Sequence, residues 1–162
     1  MAQQGNVIHR ETQYSRQPWL LAVILISVLI SLVAFMAAFQ QSEMSIWFLG
    51  LYSAGALLLL VFFWFSHLEI EVRTDGLFFR YLPFHLSFRK IPLEGVTKVE
   101  AVTYSPLRDY GGWGLRLGRG GRAYNPMGNR GVRIDYTDGS HILLGSNTPE
   151  RLAEAIREIM RY

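Results

Sequence analysis

Twenty-one residues from Trp19 to Phe39 pass without a charged side chain, and the twenty from Ile46 to Phe65 do the same. Such runs are stable only where water is excluded. A helix rises about 1.5 Å per residue, so the first run extends about 31 Å, against a hydrocarbon core of about 30 Å. Thirteen of its residues are Leu, Ile, Val or Phe, each favouring insertion by roughly 0.3–0.6 kcal/mol, or about 4–8 kcal/mol together as an upper bound. Ser27 and Ser31 are easily carried at that figure. The second run, extendable to Leu68, is as dense, and Trp19, Trp47, Trp64 and His67 stand near the ends, where amphipathic rings favour the headgroup layer. The expectation is a hairpin of two transmembrane helices joined by Gln40–Ser45. A signal peptide competes for the first run, but its apolar core would be about 7–15 residues followed by a small-x-small site. Phe39-Gln40-Gln41 supplies no such site.

Charge sets the expected orientation. Arg10 and Arg16 precede the first run, Arg73, Arg80, Arg89 and Lys90 follow the second, and the connector carries only Glu43. The positive-inside rule then puts both termini in the cytoplasm of a cell whose inner membrane holds the hairpin. The absence of cysteine is compatible with a reducing compartment. Ser27, Ser31, Ala34 and Ala38 recur at helical spacing, and Gly50 and Ala54 stand four apart. Small residues let helices approach closely in lipid, which suits packing of the hairpin on itself or a homo-oligomer. Neither run holds an interior ionisable group, so an ion path is not expected.

From Leu68 the pattern changes to strands. Leu68, Ile70 and Val72 alternate with Glu69, Glu71 and Arg73, and Thr74-Asp75-Gly76 forms a turn into Leu77–Leu82. Leu86–Arg89 and Val96–Tyr104 read as further strands. Trp113, Leu115 and Leu117 go to one face, as do Val132, Ile134 and Tyr136, and Asp138-Gly139 turns the chain into Ile142–Leu144. Short strands at this spacing indicate an antiparallel sheet that curls or closes. One helix ends the chain. Thr148 caps it, Pro149 and Glu150 suit its first turn, and Leu152, Ala155, Ile156 and Ile159 form its apolar stripe. The domains expected are a polar, poorly ordered segment 1–18, the hairpin 19–67 and a folded domain 68–162 lying against the membrane.

Local wording adds a resemblance. Lys90-Ile91-Pro92-Leu93-Glu94, Tyr110–Arg116, Ala123-Tyr124-Asn125, Gly128–Val132 and Leu144–Glu150 are similar to stretches of bacterial pleckstrin-homology-like (PH-like) domains, in a small two-span membrane-anchored subgroup of unknown function. The likeness covers Leu68 to Ile159. It implies an α+β domain, mostly an antiparallel curled sheet or partly open barrel with one C-terminal helix, following the hairpin on the cytoplasmic side. Phosphoinositide-binding members carry basic residues around their first strand–strand loop, whereas here that loop is the short, acidic Thr74-Asp75-Gly76. Inositol-phosphate recognition is therefore not carried over.

The chemically unusual segment is Ser105–Arg133, with six arginines, eight glycines and the single acid Asp109. Three explanations stand. Glycines serve tight bends and arginines solvated strand faces; or the arginines orient the domain on anionic lipid, at roughly 1 kcal/mol each; or the segment is a groove for a protein segment or an anionic ligand. The candidate contacts are Trp113, Arg116, Arg119, Arg122, Tyr124, Arg130 and Arg133, with Tyr110 nearby. Nucleic acid is a poor fit, since fourteen Lys/Arg face eleven Asp/Glu from Glu69 onward. Gly112-x-Gly114 and Gly118 lack dinucleotide spacing, and no Walker-type motif occurs. His9, His67, His85 and His141 are scattered without metal-ligand spacing, so no metal or cofactor is expected. Ser146 sits in a helix-entry loop, not a nucleophile elbow. Glu69 and Glu71 read as an outward, solvated pair. The functional expectation is a non-enzymatic, membrane-anchored scaffold that recruits or organises a protein partner. The alternatives are an anionic-lipid sensor or an accessory subunit of a transporter or membrane enzyme.

Overall fold

A computed structural model of the protein describes residues 5–15, 18–38, 43–118 and 121–161. These form, in order, β1 (Val7–Tyr14), α1 (Pro18–Ala38), α2 (Glu43–Phe65), β2 (His67–Arg73), β3 (Gly76–Leu82), β4 (Arg89–Ile91), β5 (Val96–Thr103), α3 (Pro106–Tyr110), β6 (Gly114–Gly118), β7 (Gly121–Asn125), β8 (Arg130–Tyr136), β9 (His141–Gly145) and α4 (Pro149–Ile159). The chain divides into two compact units, Arg16–Phe65 and a unit built from Met1–Ser15 with Ser66–Tyr162.

The expected architecture, a two-span hairpin followed by a curled, partly open barrel with one helix, is overturned on three counts. First, the helices interrupt the domain instead of preceding it. β1 pairs antiparallel with β2 from Val7↔Arg73 to Tyr14↔His67, and the Ser15 N–H donates to the Ser66 carbonyl at 2.9 Å. Within the segment expected to be poorly ordered, Val7–Tyr14 is an edge strand. Second, among the described residues only Trp47–Phe65 is a helix long and apolar enough to cross a membrane. In α1 the apolar stretch among the described residues, Leu21–Ala37, is shorter than that. Third, the strands form two sheets, β1-β2-β3-β4 and β5-β8-β9-β7-β6. In the second, β7 and β9 run parallel, and a second helix, α3, crosses between β5 and β6.

Within the helical unit, α1 and α2 meet at buried Ile24, Ser31 and Ala56. The Ser31 and Ser53 hydroxyls lie 3.0 Å apart. Ala54 is exposed and Gly50 has open space where a Cβ would stand, so neither marks the seam.

In the other unit the core lies between the inner faces of the two sheets. Leu68, Ile70 and Val72 of β2 and Leu77, Phe79 and Tyr81 of β3 join Val99, Tyr124, Val132, Ile134 and Leu144. The α4 stripe of Leu152, Ala155 and Ile156 closes it, together with Ala153. Of Leu86–Arg89, expected to be strand, residues 86–88 form a loop, and β4 begins only at Arg89. Leu115 and Leu117 are exposed, because β6 is an outer strand and the core ends at Tyr124 on its neighbour.

Glu69 and Glu71 also depart from expectation, at 7 % and 4 % exposure. Arg80 donates to Glu69 at 2.8 Å and His67 lies 3.0 Å from it. The Arg73 Nε donates to Glu71 at 2.8 Å, and Arg10 of β1 lies 3.4 Å from the same carboxylate. The guanidinium of Arg73 stacks on Phe78 at 4.6 Å and that of Arg80 on Phe88 at 4.8 Å. An acid that is solvated on an isolated strand is covered here by long side chains from three strands and a loop.

Candidate functional site

On the outward face of the five-stranded sheet, strands β8 and β9 pair Arg133 with Leu143 and Asp135 with His141. The short helix α3 stands over this floor and leaves a cleft of about 620 Å³ lined by Tyr104, Arg108, Asp109, Tyr110, Arg133, His141 and Leu143, among others. Local chemistry builds the wall. Pro106 opens α3, the Asp109 carboxylate accepts the Ser105 N–H at 2.8 Å, and Gly111 ends the helix at φ 70°. That backbone N–H holds the Asp109 pKa below the usual carboxylate range, and Arg108 adds to it. A left-handed residue at this position favours glycine.

Glycines further along make room for the aromatic lining. A Cβ at Gly118 would stand 2.7 Å from the Tyr110 ring, and one at Gly121 would stand 2.5 Å from the His141 ring. With those spaces clear, the Tyr110 hydroxyl lies 3.1 Å from His141 Nε2. Its ring also meets Tyr104 edge-on at 5.9 Å. Some glycines of the basic segment therefore serve close approach, while Gly111, Gly112, Gly114 and Gly128 take positive φ at bends.

The electrostatics keep these groups neutral. Burial pushes the Tyr104 phenol up to about 12 and raises Tyr110 as well. Burial, helped by the Arg133 charge and opposed by Asp135, lowers the His141 pKa. Arg133 donates to Asp135 at 2.7 Å and Arg108 to Asp109 at 3.2 Å, so the two cations at the cleft are each matched by an acid. Beside the Tyr104 hydroxyl lies Asn125, 0 % exposed. The Asn125 amide is near enough to favour the charged phenol slightly, but neither that hydroxyl nor either polar atom of the amide has a hydrogen-bond partner of good geometry among the described residues. Buried polar groups are nearly always partnered, so this cluster is where a water or an incoming hydrogen-bonding group is best received. Among the described residues no group of three or more His, Asp or Glu is placed to hold a metal.

Of the contacts expected from sequence, Arg133 lines the cleft. Trp113 donates its indole N–H to the Gly128 carbonyl at 2.7 Å, and the Arg116 Nε donates to the Trp113 carbonyl at 2.8 Å. Arg122 is exposed on β7. Tyr124 is buried in the core, its ring 4.4 Å from Phe79. Arg130 pairs with Glu150 at the start of α4. Arg119 lies outside the described residues. Sequence reasoning passed over Tyr104, Arg108, Asp109 and His141 as site residues. Tyr104 looked like a strand end and His141 like a scattered histidine, and only the packing of α3 on the sheet unites them.

A model of a family of unknown function, DUF6141, matches residues 4–161 of the chain. No curated protein and no solved structure matches it.

Proposed function

We propose that this chain, which belongs to the family of unknown function DUF6141, is a membrane-anchored binding module that recruits or organises a protein partner. Support for the anchor comes from α2, whose Trp47–Phe65 stretch has the length and composition to cross a bilayer. Ser15 and Ser66, where the chain leaves and re-enters the sheet, are hydrogen-bonded neighbours. Basic residues near both junctions, including Arg10, Arg73 and Arg80, favour the cytoplasmic side.

The observation that carries the binding role is a cleft whose charges balance and whose lining includes Tyr104, a residue with a buried hydroxyl that has no hydrogen-bond partner of good geometry among the described residues. Neutral donors and acceptors match the amides of a polypeptide. An anionic headgroup would need uncommitted cations, and Arg130 and Arg133 are already spent on Glu150 and Asp135. The cleft volume is also within the range of about 300–1,000 Å³ typical of specific small sites.

The test places a photoreactive benzoylphenylalanine at Arg108, on the exposed lip, in the full chain within native membranes. The expected product is a discrete protein adduct whose yield falls severalfold in Tyr104→Phe and Asn125→Ala backgrounds. Adducts to lipid alone, or a protein adduct indifferent to both substitutions, would refute the role.

A further inference from the structure

The β3–β4 loop, residues 83–88, brings two large apolar side chains to the surface: Leu86 is 80 % exposed, and Phe84, its ring 5.7 Å from that of Tyr81, is 53 % exposed. Between them His85 turns inward. Its ring meets Phe79 edge-on at 5.4 Å, and the His85 backbone N–H donates to the Tyr81 carbonyl at 2.8 Å. An inward anchor flanked by two outward apolar groups holds those groups in place against the pull of the hydrophobic effect.

Register fixes where this loop emerges. Leu82 pairs with His67 and His67 with Tyr14. The loop therefore starts at the end of the sheet where the chain departs for α1 and returns from α2, with Ser66 alone between α2 and β2. The other end of the same sheet carries the turn at Thr74 and Asp75, which is polar and exposed. Seven residues of strand at about 3.3 Å each put the two ends about 20 Å apart. Arg89, exposed at the close of the loop, suits an anionic headgroup layer.

We propose that residues 83–88 form an interfacial wedge, with Leu86 and Phe84 entering the boundary between headgroups and acyl chains and Arg89 at the headgroups. The wedge rests on the membrane anchoring proposed above, and it gives the domain a second point of attachment to lipid. Lipid is the fitting occupant because the apolar pair sits at the sheet end tied through one residue to the apolar helix.

The chain has no cysteine, so single cysteines can be labelled with the polarity-sensitive fluorophore NBD in the full-length protein. The protein is reconstituted into vesicles of phosphatidylethanolamine and phosphatidylglycerol. A label at Leu86→Cys is expected to emit to the blue, to be quenched by nitroxide lipids and to lose its sensitivity to aqueous iodide. Asp75→Cys is expected to stay iodide-sensitive. Leu58→Cys, on the exposed surface of α2, reports the anchor separately. If Leu58→Cys reads lipid and Leu86→Cys reads water, the wedge is overturned and the anchor stands. If both read water, anchor and wedge fall together.

Discussion

Truncating Glu71 to alanine is expected to destabilise the sheet-containing unit far more than removing its outermost partner. The Glu71 side chain is 5 % exposed and that of Arg73 is 12 %. Glu71→Ala thus strands a nearly buried guanidinium, a change that costs about 3–5 kcal/mol. Arg10 touches the same carboxylate at 3.4 Å but is 59 % exposed, so Arg10→Ala should cost no more than about 1 kcal/mol. In the double variant Glu71→Ala, Arg73→Ala no charge is left stranded. Its loss should fall short of the sum of the single losses by about 0.5–3 kcal/mol. Urea unfolding of the full chain in detergent, followed by near-ultraviolet circular dichroism, measures the unsubstituted protein, Arg10→Ala, Glu71→Ala, Arg73→Ala and the double variant. Equal losses from Arg10→Ala and Glu71→Ala, or strict additivity in the double variant, would refute the claim that burial sets the strength of this pair.

Other expectations concern the cleft. Gly118→Ala puts a Cβ against the Tyr110 ring and should cost about 1–3 kcal/mol as an overpacked site, with displaced Tyr110 and His141 ring signals by NMR. Tyr104→Phe removes a buried hydroxyl that has no hydrogen-bond partner of good geometry among the described residues. Unfolding midpoints should therefore hold or rise while photocrosslinking at the Arg108 position falls; a fall in both would make the hydroxyl structural. The pH response follows from histidines whose pKa values burial depresses, His141 and His85. The unfolded chain takes up protons near the ordinary 6.5, before the folded chain does, so stability is full above that pH and declines as the pH falls below it. Replacing His141 by Gln should flatten part of that decline in thermal unfolding curves. Glu69 acts in the same direction further down: burial opposes its charge, but Arg80 and His67 outweigh it and lower the pKa. Its contribution should be complete above the ordinary 4.5 and fade as the pH falls lower.

Short-range regularities were decided inside each segment, and these were legible. The alternation Leu68–Val72, the Asp138-Gly139 turn, the stripe Leu152, Ala155, Ile156 and the apolar length of α2 each follow from a period or a composition within one stretch of chain. β1 has no such period. Its side chains Glu11 and Gln13 are polar, and they become compatible with a covered position only through partners far along the chain. Ser146 donates to Glu11 at 2.6 Å and Gln13 to Asn147 at 3.2 Å. That long-range pairing turned a presumed leader into an edge strand and moved the helices from the front of the domain to its interior. The cleft has the same origin. The arginines and glycines of Ser105–Arg133 were visible as composition, but which of them bend the chain, make room for a ring or meet an acid depends on α3 lying over the β8–β9 floor. Composition shows which groups are available; the tertiary structure decides which of them are already spent.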